Sequence, residues 1–462
     1  MSKVRSIAIL GAGFSGTALA VNLLRFARDP THIDLIEREP RQFARGVAYS
    51  TDMDCHLLNV PAGQMSALPD IPDHFLDWAL QRTHAIEHPT WVRGVDRSSF
   101  LPRKVYGEYL RWTLGEAERS ARPDVRLGRT IGEATGARLR GESIELRLAD
   151  GRVLTADHLI LAFGNFRPGD PPLSPPSLCS SPRYHRDPWR PGLLGEMLQT
   201  DACLLIGSGL MMIDWVLSLS QAGYAGRIHV VSRRGQWPRS HAPSHGFELP
   251  PPNAEPMRIL GWLHWAREML HRHPDDWRDL VDAMRPQAQR IWGALPTAEK
   301  RRFLRHLRPF WDSLRHRLPP VVAERVNVLE RSGKLCRHVG RIAQYHEHAS
   351  AADIVLRERP NDRVTSLRVG AVLNCSGPES NYRALHSPLV CDLITQGIAA
   401  ADELRLGLRV DADGRLIGAS AEPSRRIHTI GPPQKGRLWE TTAVAEIRDQ
   451  AVSLAARLID EP

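Results

Sequence analysis

Ser6-Ile-Ala-Ile-Leu10 is an unbroken apolar run bounded by a glycine turn. Its length and β-branched content predict a buried strand. Gly11-Ala-Gly13-Phe14-Ser15-Gly16 follows, then a helical run from Thr17 to Arg28 and a second apolar strand, His32 to Ile36, ended by Glu37. The same order recurs later: the strand Ala202 to Ile206, the turn Gly207-Ser-Gly209-Leu-Met-Met212 opening a helix, and the strand Gly226 to Ser232 ended by Arg233-Arg234. A hairpin is expected from Ala137 to Ala149, and Val153 to Phe163 reads as an apolar strand entering the turn Gly164-Asn165. Val372 to Pro378 repeats that strand and turn. Ile427 to Gly431 reads as a last strand, and Thr441 to Leu458 as a closing helix.

Each strand, glycine turn, helix and second strand has the form of a Rossmann dinucleotide-binding unit. In the first, Gly11 permits the tight turn, Gly13 lets a pyrophosphate approach the backbone, and Gly16 lets the helix pack on the strand. The phosphates would sit at the helix N-terminus, where free N–H groups and the dipole favour negative charge. Glu37, 26 residues after Gly11, can accept hydrogen bonds from a ribose diol. In the second unit Met212 replaces the third glycine, which predicts looser packing of helix on strand with the phosphate site kept. Arg233 stands 26 residues after Gly207, where the first unit has its acid. An arginine there can grip a 2′-phosphate, which favours NADPH over NADH; a solvated basic loop is the plainer alternative. Opposite ribose chemistry at the two units argues for FAD in the first and NAD(P)H in the second. The expected cofactor contacts are Gly11, Gly13, Phe14, Ser15, Gly16, Glu37, Arg45, Gly164 and Gly431 in the first unit, and Gly207, Gly209, Arg233 and Arg234 in the second.

Arg167 to Gly192 holds eight prolines in 26 residues and reads as a connector. Pro256 to Pro320 reads as a helical insertion carrying five of the twelve tryptophans. From Thr297 to Arg317, Leu304, Leu307, Trp311 and Leu314 mark one face of a single expected helix, and basic residues fill most of the rest. That basic face is either an anion-attracting wall or a solvated surface. The fold class is thus α/β, with two Rossmann-type domains. The FAD domain is discontinuous, over 1–170 and 371–462, and the NAD(P)H domain covers 193–370 with its insertion at about 256–320.

With 61 Lys+Arg against 52 Asp+Glu the formal charge is +9. No nucleic-acid motif accompanies it, so anionic ligands are the expected cause and no nucleic-acid partner is expected. The six cysteines are scattered without a Cys-x-x-Cys pair, so neither a metal site nor a redox disulfide is expected, and a reducing cytoplasm fits. No apolar stretch is long enough for a membrane span.

Gly46 to Thr51, His56 to Ser66, Phe100 to Leu110 and Glu440 to Val444 resemble the blocks of a bacterial family of FAD/NAD(P)-binding proteins. One activity assigned within that family is FAD-dependent urate hydroxylation in purine catabolism, and the resemblance makes it the specific expectation. Asn59, Met65, Pro69-Asp-Ile-Pro72 and Tyr106 to Leu110 resemble more distantly the flavin-containing monooxygenases, which implies an active-site role for Asn59. The implied reaction is oxidation of a small anionic substrate with molecular oxygen and NAD(P)H. Arg103, Arg305 and Arg308 are candidates to hold that anion, since guanidinium forks match planar oxyanions. The alternatives are N-hydroxylation, Baeyer-Villiger oxidation, or a non-catalytic flavin redox sensor. The oligomeric state is open.

Overall fold

The computed structural model describes residues 4–82, 95–171, 175–243, 258–272 and 277–460. Its two large sheets match the two dinucleotide units expected from the sequence. The first runs in the order Arg415–Ile417, Pro423–Thr429, His158–Leu161, Arg5–Leu10, Thr31–Glu37, Val125–Ile131. All neighbours are parallel except the edge strand Arg415–Ile417. Strands from both ends of the chain therefore share one sheet. Fully buried parallel strands need apolar residues on both faces, which is why Ile7 to Leu10 and Leu159 to Leu161 are continuous hydrophobic runs. The helices Phe14–Phe26 and Val444–Asp460 share one core, where Leu19 and Leu23 join Ile447, Leu454 and Leu458.

The second sheet has the order Arg363–Val369, Ala352–Glu358, Leu335–Glu347, Arg227–Ser232, Ala202–Ile206, Ala371–Asn374, Tyr184–His185. Two chain assignments differ from the sequence reading. Tyr184–His185, inside the proline-rich connector, adds an edge strand here, and Ala371–Asn374 pairs with Ala202–Ile206. The return crossing therefore begins at Cys375. The expected hairpin is Ala134–Arg140 with Ser143–Leu148, extended by Val153–Ala156 into a small antiparallel sheet.

Met212 overturns the expectation of loose packing. It is wholly buried among Cys203, Leu205 and Val216, so its side chain fills the space between helix and strand. The single helix expected over Thr297 to Arg317 is two, Thr297–His306 and Arg308–Arg315. Pro309 is the cause: it has no N–H to offer Arg305 O, and its ring crowds that carbonyl. Nor do the basic residues there all face solvent. Arg315 and Arg317 are buried, and Arg317 donates to both oxygens of Asp282 at 2.9 Å. The insertion also contains the helices Ile259–Arg272, Trp277–Met284 and Ala288–Ala294; its expected first positions, 256–257, lie outside the described residues.

Candidate functional site

Both glycine turns open on one cleft of about 1390 Å³. Gly11 has φ +102°, and a Cβ there would lie 2.4 Å from Ala162 O, so only glycine allows this strand end to turn beside its neighbour. Gly207 repeats the geometry with φ +112° and a Cβ 2.4 Å from Cys375 O. Gly13, Phe14 and Ser15 line the cleft at the N-terminus of Phe14–Phe26. Gly16 does not; it packs on the strand, where a Cβ would meet Gly11 O at 2.0 Å. Gly431 also sits behind the wall, its N–H donating to Gln450 Oε1 at 2.9 Å and a Cβ there meeting Ser15 Oγ at 2.6 Å. Gly164 and Arg45 line the cleft. Burial, with Arg111 nearby, holds the Arg45 guanidinium below its ordinary pKa.

Glu37 is the best-placed acid of the site. Its Oε2 accepts from Ala12 N at 3.0 Å and its Oε1 from Arg38 N at 3.0 Å and Glu39 N at 3.2 Å, while the residue lines the cleft. Three backbone donors fix the carboxylate, leaving lone pairs for a diol. The glycine backbone and this fixed acid fit an adenine dinucleotide. At the second turn Gly209 lines the cleft, and a Cβ there would meet nothing within 4 Å, so that side of the backbone is open.

The two adjacent arginines part company. Arg234 Nη1 donates to His306 O at 2.6 Å and Nη2 to Arg305 O. Arg305 O lacks a helical partner because of Pro309. His306 O lacks one because Phe310 N–H turns back to Leu307 O at 3.0 Å. Arg234 therefore lines the cleft with both terminal nitrogens already engaged in capping a broken helix. Arg233 remains exposed on the cleft wall.

Arg103 lines the cleft but is not free for a substrate anion. It donates to Asp214 through Nη1 at 2.6 Å and Nη2 at 3.2 Å, and through Nε to Leu57 O at 3.1 Å. Asp214 belongs to the helix Leu210–Gln221 of the second unit, so this pair ties the two units together. His56 adds to the tie: its Nδ1 lies 2.8 Å from Thr51 Oγ1 and its Nε2 2.8 Å from Ser218 Oγ. Asn59 does not line the cleft, and its carbonyl accepts from His241 Nε2 at 3.0 Å. The structure thus gives no cleft contact to the asparagine singled out by resemblance.

The insertion does form a wall. Arg305, Arg308 and His316 line the cleft opposite Lys435. Arg308 Nε is paired with Asp312 at 3.2 Å, but Lys435 makes no ion pair with any described residue. Burial, then the neighbouring Arg308, pushes the Lys435 pKa down to about 8, and burial lowers that of His316. Lys435 and His316 were missed in the sequence, where a lone lysine in a Pro-Gln-Lys-Gly turn carries no signal. Among the described residues no group of three or more His, Cys, Asp or Glu could hold a metal, and no helix could cross a membrane. Cys375 is the cysteine lining the cleft; burial raises its pKa well above normal, and that of adjacent Cys203 to about 12.

Residues 8–166 match the model of a family described as FAD-NAD(P)-binding, which shows the expected resemblance over that stretch. No curated protein matches the chain. Among solved structures, L-lysine 6-monooxygenase from Pseudomonas syringae is similar at a TM-score of 0.67 and 17% identity, over 99% of this chain and 100% of that one. A FAD-bound cadaverine monooxygenase from Erwinia amylovora has a TM-score of 0.63 at 14% identity, over 99% and 95%. Thioredoxin reductase from Lactococcus lactis has a TM-score of 0.51 at 11% identity, over 98% and 97%. These likenesses show a two-domain dinucleotide-binding flavoprotein fold. None of the three is a urate hydroxylase.

Proposed function

We propose that the chain is a FAD-dependent, NAD(P)H-using monooxygenase that oxidises a small molecule. The observation that carries this reading is the single cleft lined by both glycine turns. Gly13 and Ser15, at the N-terminus of Phe14–Phe26, would hold the FAD pyrophosphate, and Glu37 its ribose diol. Gly207 and Gly209 would admit the second dinucleotide. Reduced flavin supplies two electrons to activate oxygen. The chain's own contribution is to orient both dinucleotides, to set the charge around the acceptor and to limit water.

Two other uses of this fold are less well supported. Disulfide reduction needs a reactive thiol pair, whereas burial keeps Cys203 and Cys375 protonated. A sensor would need only the first unit, whereas the second is complete at Gly207 and Gly209.

For the substrate, N-hydroxylation of an amine gains support over urate hydroxylation from the lysine and cadaverine monooxygenases among the structural neighbours. Lys435, Arg305 and Arg308 favour an acceptor that also carries an anionic group, such as an amino acid. The test is anaerobic mixing of the FAD-loaded protein with NADPH: the flavin should bleach. A protein that binds no FAD, or whose bound flavin stays oxidised with both NADPH and NADH, refutes the reading.

A further inference from the structure

We infer that Arg233, Arg341, Arg357 and Arg359 form an anion site that receives the 2′-phosphate of NADPH, a site that keeps Arg233 of the pair suggested by the sequence and sets three arginines from a neighbouring hairpin around it in place of Arg234. The inference rests on the proposed dinucleotide reading of the second unit.

Strand register brings these four residues together. Ser232 at the end of Arg227–Ser232 pairs with Val339, which places Arg233 beside Gly340 where the first strand stops and its neighbour runs on. Arg341 follows on that neighbour and stands directly opposite Arg357 on the antiparallel strand Ala352–Glu358. The Arg359 backbone N–H then donates to Val339 O at 2.7 Å, bringing its side chain to the same corner. The four arginines, Gly340 and Asp362 line an open pocket of about 150 Å³. Arg233, Arg341 and Arg359 also line the large cleft, so the pocket adjoins it at the end of the second unit's second strand.

The charge there is unbalanced. None of the four guanidinium groups pairs or hydrogen-bonds with any described residue, and Asp362 is the one carboxylate in the wall. Glu358, the other nearby acid, is held by His338 Nδ1 at 2.6 Å. Like charges directly across an antiparallel pair destabilise it, so Arg341 opposite Arg357, both exposed and partly screened by solvent, carries a small cost that a bound anion would offset. Guanidinium forks match phosphate oxygens in pairs. The position is where a second-strand side chain meets the adenosine ribose in this kind of unit.

The experiment is calorimetric titration of the flavin-loaded protein with adenosine 2′,5′-bisphosphate and with AMP, which lacks the 2′-phosphate. The bisphosphate should bind tenfold or more tightly, and Arg341→Gln and Arg359→Gln should each weaken it about tenfold without changing AMP. Inorganic phosphate should compete with the bisphosphate but not with AMP. Arg234→Gln should leave the bisphosphate-to-AMP ratio unchanged. Without ligand, Arg341→Gln should melt at a higher temperature than the parent, whereas an ordinary structural arginine would lower it. Equal binding of the two nucleotides, or a ratio untouched by both Arg341→Gln and Arg359→Gln, overturns the site while leaving the dinucleotide reading intact. If neither nucleotide binds, the dinucleotide reading fails and the site with it.

Discussion

Removing the carboxylate of Asp214 should cost far more stability than removing a surface acid. The Arg103 and Asp214 side chains are 13% and 7% exposed, and two hydrogen bonds join them across the two units. Asp214→Ala leaves the guanidinium in a largely dry site with only Leu57 O as a partner. Breaking a buried pair in this way costs about 3–5 kcal/mol. Asp214→Asn keeps the shape and one acceptor, so its cost should fall to about 1.5–3 kcal/mol, the worth of hydrogen bonds to a charged group. The double variant Arg103→Met/Asp214→Leu should recover most of the loss, because replacing both charges with apolar groups of similar volume is often neutral. The assay is urea unfolding of the flavin-loaded protein, followed by flavin and tryptophan fluorescence, with Asp150→Ala on the surface as control. A cost for Asp214→Ala within about 1 kcal/mol of that control, or a double variant no better than Asp214→Ala, would show that the pair does not join the units.

Gly209→Val should fold and retain FAD but lose nicotinamide dinucleotide, because a Cβ there meets nothing of the protein and only the ligand would be displaced; loss of FAD in a folded protein would contradict this. Gly11→Val should fail to fold, since its side chain would collide with Ala162 O, and native-like soluble expression would refute the turn geometry. His428 is buried, with neither ring nitrogen hydrogen-bonded, and burial pushes its pKa down to about 4 from 6.5. Its contribution is therefore full above pH 6.5 and is lost as pH falls toward 4, by up to about 1.4 kcal/mol per pH unit, and His428→Leu should flatten that slope in urea titrations from pH 7 to 4.5. Lys435→Met should raise KM for an anionic substrate without changing FAD content. The parent's substrate affinity should weaken above about pH 8 as Lys435 loses its proton, and an identical pH profile in Lys435→Met would refute its role.

What could be read in the sequence was whatever short-range pattern determines. The apolar runs at Ile7 to Leu10 and Leu204 to Ile206 and the glycines after them are local signals, and both Rossmann units stand where those signals lie. Contacts between distant segments were not legible. Nothing local to Arg234 shows that Pro309 frees two carbonyls in its reach, and nothing local to Arg103 shows Asp214 facing it from another unit. The arginines at 341, 357 and 359 belong to no sequence motif, and only strand register sets them around Arg233. Asn59 stands out in the sequence only by likeness to other proteins, and the fold keeps it off the cleft lining with its backbone carbonyl bonded to His241.

The proposed function requires that one atom of molecular oxygen enter a small substrate at the expense of NAD(P)H. The direct measurement is mass spectrometry of products formed under ¹⁸O₂ with NADPH and the purified protein, offering lysine, cadaverine and urate in turn. An amine product carrying one ¹⁸O atom should form in step with NADPH consumed. NADPH oxidation that yields only hydrogen peroxide with every compound offered would refute the monooxygenase reading, and labelled urate product with no labelled amine would overturn the preference for an amine alone.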